Sequence, residues 1–428
     1  MNDSQSEDAM DQAGQLHREL AEMLRADGSI RSPRVEEAFR AIPRHLFLPG
    51  IPLEKAYQNE PVIIKREENI PLSSSSQPSL MAIMLEQLDL RPGHRVMEIG
   101  AATGYNAALM RHIVGPAGHV TTLDIDEDLV AGARANLAAA GFPDVEVITH
   151  DGGRGWPPGA PYDRIILTVA AWDIAPAWIE QLAPDGRMVI PLTLTGQAQE
   201  SIAFEREGDH LASVSMQSCG FIHMRGEHTQ PERRSVAIPP GEGATGEGEI
   251  HLEIRDGNGP DPAAISALLN GPHSDQSLGI SATPREVFLR LMPWLELRVP
   301  DLAAITATGP MAASGIIPYL IGSIDRYCTS SGYIHERGAI LLMRRPGAPI
   351  LDGQLDSKTP FELWVRIYGD PPEGDLFLET ILDWERSGRG SGGGAIGVRA
   401  YPHALGYTPK PGERAIDKEH VRLIITRR

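Results

Sequence analysis

Between residues 95 and 194 the chain alternates short apolar runs with helical stretches, and this alternation constrains the fold more than any other feature. In order the pieces are RVMEI, YNAALMRHIV, HVTTLDI, DLVAGARANLAAAG, VEVITH, RIILTVA, AWIEQLA and RMVIPLTL. Strand then helix at this spacing predicts βαβ units, because parallel neighbours need a crossover long enough to be a helix. The expected class is α/β, with a Rossmann-like parallel sheet and helices on both faces. SIAFERE and HLASVSMQSCGFIHM read as further strands closing that sheet. Upstream, residues 17–24 and 35–47 carry apolar residues at helical spacing, and the first dozen residues are polar enough to fray.

The remaining chain shifts in composition. Residues 229–262 are rich in Gly, Pro and Glu, which predicts a linker holding one strand, EIHLEI. Beyond it, Thr283-Pro284-Arg285-Glu286 has the pattern of a capped helix start. AILLMRR, ELWVRIY, AIGVRAY and VRLIIT read as strands and LFLETILDWERS as a helix. Three parts are expected: an α/β domain over 1–228, a linker over 229–262 and an α+β accessory domain over 263–428. The run SGRGSGGGA at 387–395 reads as a surface connection, since it lacks the Lys-Ser/Thr of a phosphate loop.

Charge and cysteine content narrow the partners. Lys and Arg number 39 against 57 Asp and Glu, a net charge of −18 over 428 residues. Such a surface repels phosphate backbones and anionic headgroups, so neither nucleic acid nor membrane is expected as a partner. Cys219 and Cys328 cannot form a disulfide framework, and they read as buried small apolar residues. His223 and His228 read as surface or strand-end histidines rather than metal ligands. The polar, acidic start lacks the pattern of a signal peptide, and no apolar run approaches membrane-spanning length. A cytoplasmic location is expected.

The strongest local signal is Glu98-Ile99-Gly100-Ala101-Ala102-Thr103-Gly104-Tyr105, which follows one predicted strand and opens a helix. Small residues let the backbone turn tightly and approach a ligand. The loop lacks the middle glycine of a dinucleotide fingerprint. Asp124 lies at the end of the next strand, where an acid can accept from ribose hydroxyls or cap a helix. Asp151-Gly152 follows the strand after that, where a carboxylate could meet an adenine amino group. Loop, ribose acid and base-reading acid on successive strands have the layout of an S-adenosyl-L-methionine site.

These residues and several longer blocks resemble the protein-L-isoaspartate O-methyltransferase family. The blocks are VEEAFRAIPRHLFLP at 35–49, AYQNEPVII at 56–64, the run from Ser73 through Met110, and the run from His150 through Leu192. The resemblance covers roughly residues 35–195. It implies a class I S-adenosylmethionine-dependent methyltransferase domain with the cofactor held among Ser75, Glu98, Gly100, Ala101, Ala102, Gly104, Asn106, Asp124, Ile125, Asp151, Gly152 and Thr168. No metal is implied. Ser76, in the retained Ser-Gln-Pro, aligns with the family's catalytic serine. Serines replace the Thr and Ile that usually precede it, Asp124 replaces the usual ribose-binding Glu, and the repair enzymes of the family lack so long a C-terminal region.

Those departures resemble the branch acting on ribosomally made peptides, including FxLD-type, lanthipeptide- and graspetide-associated methyltransferases. The function this implies is methylation of an Asp carboxylate in a cyclised peptide, whose ester collapses to a succinimide and isoaspartate. The alternative is repair of isoaspartyl damage in proteins. Either way the partner is a peptide or protein presenting an Asp or isoAsp carboxylate. A scaffold without catalysis is a third reading, against which the intact loop, Asp124 and Ser76 argue. A carboxylate is already ionised near neutral pH, with a reference pKa of about 4. The enzyme's task is then positioning, which suits a neutral Ser76 hydroxyl. Thr168 and Ala170 are expected pocket walls, and Trp172 either covers the peptide or packs as a core aromatic.

Overall fold

The computed structural model describes residues 3–68, 70–194, 199–231, 234–239, 248–254, 259–300, 302–323, 327–347, 359–390 and 396–427. The chain forms two compact units. The first comprises residues 1–193, 199–230 and 395–428, and the second comprises 194–198 and 231–394. The expected surface loop at 387–395 lies partly outside the described residues.

The first unit begins with helices α1 (Asp3–Ala26), α2 (Pro33–Ala41) and α3 (Leu53–Ala56). The polar start is helical from Asp3, so it extends α1. Ser32 caps α2 by accepting from the Val35 N–H, with Pro33 at the first helical position. A hairpin follows, β1 (Val62–Glu67) with β2 (Ile70–Ser75), and leads into α4 (Pro78–Leu88).

The expected alternation then unfolds in order. It runs β3 (Arg95–Ile99), α5 (Tyr105–Val114), β4 (His119–Asp124), α6 (Glu127–Ala139), β5 (Glu146–Thr149), β6 (Tyr162–Leu167), α7 (Pro176–Gln181) and β7 (Leu182–Thr193). Strands β3 to β7 pair in parallel in the order β7-β6-β3-β4-β5. Val96, Met97 and Ile99 of β3 are buried, each side chain stabilising the fold by about 1.5–3 kcal/mol. Strands β8 (Gln199–Glu207) and β9 (His210–Cys219) add on antiparallel beyond β7, as expected.

The C-terminal segment departs from the expected domain division. Strands Ile396–Pro402, Arg414–Asp417 and Val421–Arg427 join the first unit's sheet and make it ten-stranded. Ile396–Pro402 pairs with β9 through Arg399 opposite Ala212 and Ala400 opposite Leu211. The edge of β9 would otherwise present unpaired backbone groups.

The second unit is built on an eight-stranded antiparallel sheet. Residues 229–262 are not simply a linker: Arg234–Ile238 and Ile250–Ile254 pair with each other, and the latter pairs with Leu302–Thr308. Successive residues of Gly338–Arg344 face opposite ways. Ile340 and Leu342 pack with Phe377, Ile381 and Trp384 of the helix Gly374–Arg386, whereas Ala339 and Leu341 pack with Ile265 and Leu269 of the helix Pro262–Leu269. Burial on both faces explains the unbroken apolar run. The capping box at Thr283 and Glu286 forms as expected. Cys328 is buried, but Cys219 at the end of β9 is only half-buried. Among the described residues no helix is long and apolar enough to cross a membrane.

Candidate active site

Register assembles the site. Ile99 lies opposite Leu123 on one side and Leu167 on the other, so β3, β4 and β6 end level. Gly100, Asp124 and Thr168 therefore emerge side by side. Asp124 lies opposite Thr149 of β5, which brings Asp151 to the same end. Open parallel sheets bind ligands at this carboxyl end.

The loop after β3 is tightly drawn. Gly100 and Ala101 N–H groups both donate to Leu123 O, at 2.8 and 3.0 Å, and the Gly104 N–H donates to Ala101 O at 2.8 Å. Gly100 has φ +107° and Gly104 φ +85°, both in the glycine-favoured region. A Cβ at Gly100 would lie 2.5 Å from Thr168 Oγ1. That hydroxyl donates to Gly100 O at 2.7 Å, so Thr168 braces the loop.

The acids divide by environment. Glu98 is fully buried, accepting from Asn106 Nδ2 at 2.7 Å and from Thr122 Oγ1 at 2.6 Å. Burial pushes its carboxyl up to about 7. Glu98 and Asn106, both expected among the cofactor residues, bond each other. Asp124 accepts from Ala102 N–H at 3.0 Å and Asp126 N–H at 3.2 Å, and burial raises its pKa. Beside it Ile125 is exposed. Asp151 accepts from Gly153 N–H at 2.9 Å and Glu227 N–H at 2.8 Å. Gly152 packs where a side chain would strike Ile99.

Two features escaped the sequence reading. Arg44 is fully buried and donates to the carbonyls of Ala56 (2.8 Å), Gln58 (3.2 Å), Glu60 (3.3 Å), Ser75 (3.4 Å) and Ser76 (3.0 Å). Burial lowers its pKa to about 10, so it stays charged at neutral pH. It thereby fixes the backbone carrying buried Ser75 and half-buried Ser76. An arginine amid the apolar residues of IPRHLFL is the signal that could have found it. The second feature is Asp126, which Arg225 meets at 2.6 Å and Lys65 of the hairpin at 3.1 Å. Both cations hold its carboxyl below the usual range, the Arg225 hydrogen bond most. This cluster adjoins Asp124 and Ile125.

Parallel strands ending level at a glycine loop, with acids on the next two strand ends, define a class I S-adenosylmethionine-dependent methyltransferase domain. The chain belongs to the protein-L-isoaspartate(D-aspartate) O-methyltransferase family, whose sequence model matches residues 15–229. It is thus a protein carboxyl methyltransferase dependent on S-adenosyl-L-methionine. A protein-L-isoaspartate O-methyltransferase of Methanopyrus kandleri is 39% identical over 217 residues, covering 50% of this chain and 94% of the relative. Protein-L-isoaspartate O-methyltransferase 2 of Archaeoglobus fulgidus is 42% identical over 210 residues, covering 49% and 92%. A solved structure named protein-L-isoaspartate O-methyltransferase aligns over 90% of this chain and 96% of its own, at 23% identity and a TM-score of 0.48. Both sequence relatives carry the name of protein-L-isoaspartate O-methyltransferases, not of peptide-tailoring enzymes.

Proposed function

We propose that this protein methylates the free carboxylate of isoaspartyl residues in proteins or peptides, using S-adenosyl-L-methionine. The observation that carries this reading is the 39–42% identity to two proteins of that name over nearly their whole lengths. The site fits the cofactor. A side chain at Gly100 would collide with Thr168, so only glycine lets the loop pack this closely against the end of β6. Asp124 meets one N–H through each oxygen, which leaves lone pairs for ribose hydroxyls. Ile125 offers an apolar cover for a purine, and Asp151 has acceptor capacity left for an adenine amino group. Ala101, Ala102 and Gly104 shape the loop, while Glu98 and Asn106 position it from below.

When bound, S-adenosyl-L-methionine supplies a methyl group on a positively charged sulfur, which a carboxylate oxygen can attack directly. The protein therefore needs no general base. Its work is to hold the acceptor carboxylate in line and at close approach. Ser76 does this through a neutral hydroxyl, which orients one oxygen without over-stabilising the charge as a cation would. Arg44 holds the Ser75–Ser76 backbone in place.

The test is methyl transfer from labelled cofactor into an aged, isoaspartyl-rich protein and into the same protein freshly made. Label should enter the aged protein preferentially and leave as methanol in mild base, as an ester does. Equal labelling, or base-stable label, would overturn the reading. A second reading, methylation of an ordinary aspartate in a cyclised ribosomal peptide, rests on the serines at 73–75 that stand before Ser76. They make that wall of the acceptor slot more polar than the Thr-Ile expected there.

A further inference from the structure

The family match ends at residue 229, yet the first unit's sheet is completed by residues 396–427. The turn between Arg414–Asp417 and Val421–Arg427 carries Lys418, Glu419 and His420, and it packs against the loop that continues β6. That loop runs from Thr168 beside Gly100. Ala170 pairs with His223 and Ala171 with Leu192, and Trp172 and Asp173 follow.

The contacts are specific. Asp173 is buried, and its Oδ2 accepts from both the His420 backbone N–H, at 2.6 Å, and the His420 ring Nδ1, at 2.9 Å. Its Oδ1 accepts from the Ile174 N–H at 2.7 Å. Lys418 is buried with Nζ 3.2 Å from the centre of the Trp172 ring, and it donates to Thr193 O at 3.0 Å. A desolvated ammonium is drawn to an indole face by the ring's quadrupole. The turn therefore grips both residues of the loop, one by charge over a ring and the other by a paired carboxylate. His403 holds the turn from behind, its Nε2 2.8 Å from Lys418 O.

We infer that Trp172 lines the acceptor side of the site and that the turn 418–420 is a positioning element for it, so that the last strands of the chain set how the peptide carboxylate is presented. The inference rests on the proposed isoaspartyl reading for its choice of acceptor. Sheet order supports the assignment. Apart from Thr168, the candidate cofactor groups on strand ends stand on β3, β4 and β5, and the loop that continues β6 past Thr168 lies on the other flank of β3. Trp172, half-buried with Lys418 on its ring, has surface left for a peptide.

The test uses the full chain with His420→Ala, Lys418→Met and, as control, Glu419→Gln, an exposed neighbour on the same turn. Steady-state kinetics on an isoaspartyl peptide, calorimetry with S-adenosylhomocysteine, and hydrogen exchange at the amides of residues 172–174 are measured on each. Expected are a rise of about tenfold in KM for the peptide in the first two variants and a Kd for S-adenosylhomocysteine within twofold of the parent. Exchange at 172–174 should be faster in those two and unchanged in the control. A loss confined to S-adenosylhomocysteine affinity would overturn the inference by moving the turn's role to the cofactor. A lowered thermal midpoint with unaltered kinetics would reduce the turn to a structural brace. If the unsubstituted protein does not methylate the isoaspartyl peptide, the functional reading fails; the same KM comparison on an aspartyl or cyclised aspartyl peptide that it does methylate then decides the inference, and unchanged exchange at 172–174 counts against it.

Discussion

Arg44 puts a cation in the interior and satisfies it with carbonyl oxygens, so removing it strands those acceptors. Arg44→Met should destabilise the first unit by about 3 kcal/mol or more, because each buried group left unpaired costs roughly 1–3 kcal/mol. Chemical denaturation checks this, and an unaltered midpoint would mean that water replaces the guanidinium. Ser76→Ala should leave the fold intact and lower kcat about tenfold or more, since a lost orienting hydrogen bond is felt in the transfer step. Near-normal turnover would remove Ser76 from the mechanism. Gly100→Ala should weaken S-adenosylhomocysteine binding, because its Cβ would press on Thr168 Oγ1 at 2.5 Å with the backbone at φ +107°. Gly100, Asp124 and Asp151 were legible in the sequence because each sits at the end of an apolar strand. Arg44 was not, because nothing in its neighbours announces which carbonyls will surround it.

At the level of elements, β3 carries a pH dependence of its own. Burial lifts Glu98 from 4.5 to about 7, so the folded chain binds that proton more tightly than the unfolded one. The stability this group lends is fully present below about pH 4.5 and is lost as pH rises through about 7. Glu98→Gln should flatten that slope, gaining thermal midpoint relative to the parent as pH goes from about 5 to 8. A parallel pair of pH curves would mean that Glu98 ionises normally. The parallel strands and the capping box at Thr283 were readable because periodicity and caps are local. The hairpin β1–β2 was not, since its charged and serine-rich strands lack a clean alternation. AIGVRAY and VRLIIT were readable as strands but not as partners of β9. Pairing across roughly 190 residues leaves no local trace.

For the whole molecule, the division into units matters more than chain order. The second unit is spliced between parts of the first, and the last strands belong with the methyltransferase sheet. A chain cut at residue 230 keeps everything the family match covers but loses three strands and exposes the edge of β9. It should melt well below the full chain or aggregate, which calorimetry and light scattering would show. A cut chain as stable as the parent would make the C-terminal strands an accessory.

The central claim is tested most directly with three peptides: a linear isoaspartyl peptide, its aspartyl isomer, and a cyclised aspartyl peptide. Each is incubated with the protein and S-adenosyl-L-methionine and followed by mass spectrometry. Methyl ester, and then succinimide, should form on the isoaspartyl peptide and be slow or absent on the other two. Conversion of the cyclised aspartyl peptide alone would contradict the account and make the chain a peptide-tailoring enzyme.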